Sequence, residues 1–353
     1  MKYQKNTIKV DLGSYRHYIR GIKKSGKSTL FRDLCFKAYG RYDAGLIIAP
    51  GNEKGYLALD SVYAIEAIDW STFVEIVDDL VENKADNTFK LIALDTIDEL
   101  ISIAIKKTLQ VHFQRKGEKV DTINQAMGGY SAGQVYVQDI VNNQLARLEN
   151  AGYGLFFIGH CKLKTIKKQG DSSEEDGYQQ LTGTLDGRFE SIFADKADII
   201  CTINVEREVD NGHVTGTQRY LYFRSDGFVD AGGRFTNMPE KVEMSAENYL
   251  AAFEQGVRSS FMDQSKVEKI EDMRKVELAE KEESAQKFVE ESKAAKVMDS
   301  VPNLVTAIDE KISSLDANGK SKMKEIFKEK KLPLKFKEEK DVEVLKTILA
   351  VLG

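Results

Sequence analysis

Residues 21–28 read Gly-Ile-Lys-Lys-Ser-Gly-Lys-Ser and match the phosphate-binding pattern G-x-x-x-x-G-K-[ST] at every position. Glycines at both ends of such a turn let backbone N–H groups close around phosphate oxygens, and the following helix presents its positive N-terminal end to the same anion. Lys27 would then reach the β- and γ-phosphates, and the Ser28 hydroxyl would bind Mg²⁺. The residues predicted to bind the nucleotide are Gly21, Ile22, Lys23, Lys24, Ser25, Gly26, Lys27, Ser28 and Thr29.

A phosphate-binding turn of this kind needs a strand before it and a helix after it. Residues 29–38 predict the helix, because leucines and an alanine recur four residues apart on one face. Residues 14–20 make a poorer strand, since two arginines and a histidine interrupt the apolar run that a buried parallel strand usually has. The strand that leads into the turn is therefore expected to be unusually polar.

The composition limits the classes of protein to which the chain can belong. Of its 353 residues 42% are hydrophobic, which suffices for a core, and no apolar run approaches membrane-spanning length. The N-terminus lacks the apolar segment of a signal peptide, and the three cysteines and four histidines lack the spacing of a disulfide framework or a zinc site. These features predict a reducing cytoplasm. With a net charge of −5, any nucleic-acid contact must come from local basic patches.

Short apolar runs alternate with segments of helical periodicity through the first half of the chain. The strand-like runs lie at residues 44–50, 62–69, 89–94 and 153–159, and a further strand is predicted at 197–205, after a polar segment. Such alternation predicts βαβ units and a mostly parallel sheet, that is, an α/β fold. Asp210-Asn211-Gly212 is a hairpin signal, so we expect antiparallel strands at one edge of the sheet.

The composition changes in the last third of the chain. Residues 1–256 are predicted to form the α/β core. Residues 257–300 are dominated by glutamate and lysine with isolated apolar residues, which predicts a charged helical linker. Three amphipathic segments follow Pro302, so residues 301–353 predict a small helical C-terminal module.

The segment Leu91-Ile92-Ala93-Leu94-Asp95 has the form of a Walker B strand, in which four apolar residues precede a carboxylate. We expect it to lie next to the strand of the phosphate-binding turn, with Asp95 helping to hold Mg²⁺ through water. Hydrolysis also needs a base that orients water. Glu53, in the loop after the second strand, is the first candidate and Glu99 the second, because such loops converge on a ligand in open α/β sheets. Asp98 and Glu99 are expected at the exposed start of a helix.

Three further side chains could act at the phosphate. His160 follows the strand at residues 153–159, where it could sense the γ-phosphate or serve only the structure. Lys196 and Arg234 could act in trans across a subunit boundary, as arginine fingers do, although ordinary surface cations are the simpler interpretation. The polar residues 162–180, which change from basic to acidic, predict a loop.

The order of these features resembles that of RecA-like ATPases. The phosphate-binding turn, the Gly51–Gly55 loop with Glu53, the Asp95-Thr96 pair and the segment ending in His160 succeed one another as in that family. Over residues 10–250 the chain is similar, more narrowly, to phage-encoded, core-only RecA-like proteins that act with single-strand annealing systems. These share a Gly-His-x-Lys segment and a late segment like residues 230–235.

The resemblance implies an ATP-dependent DNA-recombination protein of a bacterial host cytoplasm. Such a protein binds single-stranded DNA and assembles head-to-tail into an oligomer, with ATP at the subunit boundary. It also implies that the loop after His160 contacts DNA through Lys162, Lys164, Lys167 and Lys168, where Tyr178 could stack on a base. A solvated hairpin whose acidic half would repel DNA is the alternative.

The leading hypothesis is a Mg²⁺-dependent ATPase that cycles its grip on single-stranded DNA and promotes annealing or strand pairing. The alternative is a nucleotide-gated scaffold with little hydrolysis, whose helical C-terminus recruits a partner such as a single-strand-binding protein. A helicase-type motor is a variant of the first hypothesis. A small-molecule kinase is disfavoured, because no compact arginine-rich lid follows the sheet. The sequence leaves the choice between ATP and GTP open.

Overall fold

The computed structural model describes residues 5–167, 177–298, 301–330, 332–339 and 341–352. By its internal contacts the chain divides into two units, Met1–Ala285 and Gln286–Gly353. The first unit contains the sheet and the phosphate-binding turn, and the second is helical. No helix of the described residues is both long and apolar enough to cross a lipid bilayer.

The first unit is built on a ten-stranded mixed sheet. Its strands are β1 (His17–Gly21), β2 (Gly45–Pro50), β3 (Tyr63–Ala67), β4 (Leu91–Asp95), β5 (Gly154–Lys167), β6 (Gly177–Gly183), β7 (Ile199–Asp210), β8 (His213–Tyr222), β9 (Gly232–Gly233) and β10 (Lys241–Glu243). Strands β7-β1-β5-β4-β2-β3 are parallel neighbours in that order. Strands β8 and β10 extend the β7 edge antiparallel, β9 also pairs with β7, and β6 pairs with the outer part of β5. The predicted α/β class, its mostly parallel sheet and its antiparallel edge hairpin are confirmed.

Helices cover both faces of the sheet. They are α1 (Lys27–Tyr39), α2 (Trp70–Glu82), α3 (Ile97–Lys116), α4 (Ala132–Asn150), α5 (Gly187–Phe193), α6 (Ala246–Ser259), α7 (Ile270–Met298), α8 (Val301–Ser314), α9 (Ala317–Glu329) and α10 (Val342–Leu352). Phe156 of β5 shares a buried core with Leu34 of α1 and Phe253 of α6. The next residue, Phe157, contacts Phe193 of α5. Because successive residues of a strand point to opposite faces, these contacts belong to two different layers.

Strand β1 is fully buried although its sequence is polar. His17 stacks on Phe156, with ring centroids 4.3 Å apart, and its two ring nitrogens lie 2.8 Å from the Tyr249 hydroxyl and 2.9 Å from the Leu12 carbonyl oxygen. Arg20 is 2% exposed and has carboxylate partners of its own, described below. Buried polar groups are tolerated when their hydrogen bonds are satisfied. The polar residues that weakened the strand prediction are therefore core residues with partners.

The first half of α7 belongs to the first unit. The buried Glu277 carboxylate accepts a hydrogen bond from the backbone N–H of Val10 at 2.6 Å. Lys281 donates to the carbonyl oxygen of Gly13, also at 2.6 Å. These charge-assisted bonds tie α7 to the segment that leads into β1. The division after Ala285 therefore differs from the predicted boundary at residue 256, and residues 257–285 lie with the core.

The second unit has a hydrophobic core of its own. Helices α8, α9 and α10 amount to the predicted helical C-terminus. The buried core residues of this unit are Leu304, Ile308, Phe327, Phe336, Leu345 and Ile348, of which Phe336 lies between α9 and α10. Because a domain is defined by having its own core, this unit is more than an extension of α7.

Replacing His17 should weaken the pH dependence of stability. Burial lowers the pKa of His17 to about 4 from its ordinary 6.5. In the pH window between these two values the unfolded chain binds a proton that the folded chain does not. The free energy of unfolding should fall by about 3 kcal/mol as the pH drops through the window. Urea unfolding at about pH 7 and about pH 4.5 checks this in the wild type and His17→Gln. His213→Gln, whose ring is exposed on the β7–β8 hairpin, is the control; equal pH slopes in the wild type and His17→Gln would contradict the expectation.

Candidate active site

Strand β1 ends at Gly21 and α1 begins at Lys27, so the motif has the strand–turn–helix setting that it requires. Gly26 has a φ of 97°, in the left-handed region that favours glycine. A Cβ on Gly21 would lie 2.8 Å from the Ser25 hydroxyl and 3.0 Å from the Ile203 carbonyl oxygen. The turn therefore needs glycine at position 26 for its backbone angle and at position 21 for lack of space, as expected of a turn that binds an anion on its backbone amides.

Lys27 lies over this turn. Its ammonium donates hydrogen bonds to the carbonyl oxygens of Gly21 at 3.1 Å and Ile22 at 3.0 Å, and it is 3.4 Å from Nδ1 of His160. Burial lowers the pKa of Lys27, and the nearby Asp95 carboxylate opposes this. The Ser25 hydroxyl is buried beside it with no hydrogen-bond partner among the described residues. A polar group that is buried and unpaired favours a ligand with hydrogen-bonding atoms.

Asp95 and Ser28 bring two oxygen donors together next to the turn. The Ser28 hydroxyl donates a hydrogen bond to the buried Asp95 carboxylate. Burial raises the pKa of Asp95 to about 6, a rise that this hydrogen bond partly opposes. A hydroxyl and a carboxylate are ligands that suit Mg²⁺, so the donor set fits the predicted ion. One expectation is corrected: β5 lies between β1 and β4, so the Asp95 strand is not the neighbour of the β1 strand.

A cavity of about 690 Å³, the phosphate cavity, opens over the turn. It gathers residues from the carboxyl ends of β1, β2 and β4, and His160 from the point where β5 stops pairing with β1. Parallel α/β sheets bind ligands at this edge. Its lining includes Lys23, Lys24, Ser25, Gly26, Lys27, Ser28, Thr29, Glu53, Leu59, Asp95, Asp98, Glu99 and His160. Most of the residues predicted to bind or hydrolyse the nucleotide thus line one space.

Both candidate bases lie in the phosphate cavity. The Glu53 carboxylate accepts hydrogen bonds from the backbone N–H groups of Gly55 at 3.0 Å and Lys54 at 3.2 Å, so its own loop holds it. Glu99 lies against Gly51, where an added Cβ would come within 2.5 Å of its Oε2 atom.

Asp98 joins His160 to the base of the β5–β6 hairpin. One carboxylate oxygen accepts from the backbone N–H of His160 at 3.2 Å, and the other accepts from the Thr184 hydroxyl. The Thr184 N–H and hydroxyl in turn donate to the His160 carbonyl oxygen, at 3.1 and 3.2 Å. Burial, and next the charge of Lys27, lower the pKa of His160.

Asp98 lies in the first turn of α3, as expected, but it is half-buried and bonded to His160 and Thr184 instead of exposed. The available signal was its position in the first turn of α3, directly after the strand that ends in Asp95. A helix that begins there has to place its first turn at the carboxyl edge of the sheet, beside the ligand. Nothing in the sequence indicated Thr184, since its role depends on how β6 pairs with β5.

Residues 162–167 continue β5 beyond the sheet and pair with β6, so the predicted loop is a hairpin in its described part. Lys162 lies opposite Thr182, Lys164 opposite Gln180, and Ile166 opposite Tyr178. Paired residues share a face and neighbours alternate, so Lys162, Lys164 and Tyr178 lie on one face and Lys167 on the other. Lys168 and the acidic residues of the predicted loop (171 and 174–176) lie outside the described residues.

Lys196 and Arg234 lie away from the phosphate cavity of their own chain. The Lys196 ammonium donates to the Asn142 side chain at 2.6 Å, and Arg234 pairs with Asp198 at 3.1 Å. Asp198 precedes β7, at the edge of the sheet opposite the phosphate-binding turn. A role in trans stays a prediction for both cations.

Gly26→Ala should lower nucleotide affinity by at least about tenfold. An alanine at a φ of 97° would strain the backbone of the turn. The approach of its methyl to the Met244 methyl, at 2.9 Å, adds less, because that methyl ends a flexible side chain. Gly40→Ala is the matched control, because Gly40 also has a positive φ of 73° but has nothing within 4 Å of an added methyl. Binding of a fluorescent nucleotide, with thermal unfolding of each variant, checks this. Unchanged affinity in Gly26→Ala would remove the turn from the binding site.

Comparison with known families agrees with this site. A family model described as an AAA domain matches residues 14–235, which is more than half of the chain and covers β1 through β9. No curated protein matches the chain at a significant level. The match includes the phosphate-binding turn, Glu53, Asp95 and His160.

Proposed function

The chain belongs to the AAA domain family of P-loop ATPases, and from that premise we propose that it hydrolyses ATP with Mg²⁺ and uses the cycle to control its grip on single-stranded DNA. The observation that carries the proposal is the hydrogen-bonded link between the phosphate cavity and a hairpin with lysines and a tyrosine on one face. That link runs from Lys27 through His160 and Asp98 to Thr184.

In this proposal the phosphate-binding turn holds the β- and γ-phosphates on its amides while Lys27 leaves the carbonyl oxygens of Gly21 and Ile22 to bind them. Ser28 and Asp95 would hold Mg²⁺, which neutralises charge on the phosphates when bound. Glu53 orients the attacking water and accepts its proton. Positioning and charge stabilisation account for most of the catalysis in phosphoryl transfer.

In this proposal His160 couples the phosphate cavity to the hairpin that binds DNA. A γ-phosphate that draws the Lys27 ammonium forward changes the surroundings of a histidine whose backbone is bonded to both Asp98 and Thr184. His160 and Thr184 flank the pair Cys161–Gly183, where the pairing of β5 with β6 begins. A shift of either residue therefore moves the strands that carry Lys162 and Tyr178.

The hairpin face has the chemistry of a single-strand binding surface. Lys162 is exposed, and Tyr178 is 51% exposed. Lysines follow a phosphate backbone, and an aromatic ring stacks on bases without regard to sequence. In this proposal the protein acts in DNA recombination or replication, promotes annealing or strand pairing, and assembles into an oligomer with its own copies.

The second unit supports the alternative function, a nucleotide-gated scaffold. Because α8, α9 and α10 have their own core, this unit could recruit a single-strand-binding protein while nucleotide binding gates assembly with little hydrolysis. A helicase-type motor would in addition have to unwind duplex DNA. The two experiments below separate an ATPase that grips DNA from a scaffold that does not turn over.

Glu53→Gln should lower ATP turnover about 100-fold and leave ATP binding intact, because the amide keeps the side-chain length but cannot accept a proton. Glu99→Gln is the matched control and should keep most of the rate. Steady-state hydrolysis with Mg²⁺ is measured with and without single-stranded DNA, which should stimulate the wild type. The reverse ranking of the two variants would assign the base to Glu99. A wild-type rate indifferent to DNA would favour the scaffold.

Lys162→Gln should weaken binding of single-stranded DNA and reduce the salt slope of the binding constant by roughly 0.7, as expected for one lost phosphate contact. Lys167→Gln removes an equally exposed lysine of the same strand from the opposite face and should leave the slope unchanged. Fluorescence anisotropy over a range of salt concentrations measures both. Equal losses in the two variants would mean that total charge, not this face, binds DNA.

A further inference from the structure

A second cavity, of about 370 Å³, adjoins the phosphate-binding turn; we call it the side cavity. Three elements of the first unit form it: α1, β8 and the start of α6. Thr29 of α1 lines both the side cavity and the phosphate cavity. The two spaces therefore meet at the residue that follows the motif.

Two residues that line the side cavity, Met244 and Arg219, lie beside the phosphate-binding turn. A Cβ on Gly26 would come 2.9 Å from the Met244 methyl and 3.8 Å from a guanidinium nitrogen of Arg219. On β8, Thr217 and Arg219 are four and two residues before Leu221, which is buried in the core that includes Leu34 of α1. Alternate residues share a face, so Arg219 and Thr217 are on the α1 side of the sheet.

Arg219 contributes a positive charge that has no ion-pair partner among the described residues. Its side chain is exposed, and no carboxylate of the described residues lies within ion-pair distance of it, whereas Asp33 across the cavity pairs with Arg32 at 2.8 Å. A guanidinium held beside a glycine of an anion-binding turn is suited to a phosphate oxygen.

The direction of the nucleotide follows from the order of the strands. The γ-phosphate end of the nucleotide site is marked by two pairs of residues, Ser28 with Asp95 and Lys27 with His160. This end lies over β5 and β4, on one side of β1. Strands β7 and β8 lie on the other side of β1. A phosphate chain seated in the turn with its γ end over β4 has to leave toward β8.

We propose that the side cavity binds the nucleobase and ribose of a purine nucleotide, with the Met244 thioether against the face of the base and Arg219 on the phosphate nearest the ribose. The inference rests on the proposed nucleotide binding. A flexible, polarizable methionine packs well against an aromatic ring. Affinity for the base would then depend on residues some 200 positions after the motif in the chain.

Comparison of ATP with inorganic tripolyphosphate tests the assignment, because the two share the phosphate chain and only ATP carries a base. Binding of each, with Mg²⁺, is measured by calorimetry for the full-length wild type, Met244→Ala and Thr217→Trp. Met244→Ala removes the proposed contact with the base. Thr217→Trp fills the cavity from an exposed strand position. The controls are Met262→Ala, a fully exposed methionine, and Thr215→Trp, an exposed threonine farther along the same strand.

Each proposed variant should bind ATP about tenfold more weakly and tripolyphosphate as the wild type does, while the controls bind both normally. Unchanged ATP affinity in both variants would overturn the inference and place the base elsewhere, for instance against Leu59 in the phosphate cavity. Equal losses for ATP and tripolyphosphate would also overturn it, since the variants would then act on the turn. A wild type that binds neither compound would instead refute the proposed function.

Discussion

The burial of charge beside the phosphate-binding turn is the constraint on which the first unit depends. Arg20 immediately precedes Gly21 and is 2% exposed. A buried guanidinium is costly unless it is paired and its donors are satisfied. Its partners are the Glu190 carboxylate at 3.1 Å, the Asp230 carboxylate at 2.6 Å and the Thr202 hydroxyl at 3.1 Å. Segments distant in sequence therefore have to converge behind the turn.

This network also reaches the hairpin. The Thr182 hydroxyl of β6 donates to the same Asp230 carboxylate at 2.8 Å, and the Tyr18 hydroxyl of β1 donates to Glu190 at 3.0 Å. The base of the hairpin is thus held from two sides, by Asp230 behind the turn and by Asp98 in the phosphate cavity. These contacts join the base of the hairpin both to the core and to the phosphate cavity.

The charged helix α7 shows how a polar sequence can be structural. Its Glu277 is 5% exposed and accepts from the backbone of the segment that enters β1. Composition alone favours a solvated helix for such a stretch, because the sequence does not distinguish a glutamate that will be buried from one that will be exposed. Only the position of the backbone donors distinguishes them. The helix therefore supports the strand that carries the phosphate-binding turn.

The sequence by itself determined the features that depend on neighbours along the chain. The turn at residues 21–28, the apolar strand ending in Asp95 and the hairpin at Asn211-Gly212 are local patterns, and covalent spacing dictates their geometry. Tertiary structure decided which distant groups meet: β5 between β1 and β4, Asp98 with Thr184, Arg20 with Asp230, and Arg219 beside Gly26. Strand order and long-range pairing minimise the free energy of the whole sheet, so no local window of sequence contains them.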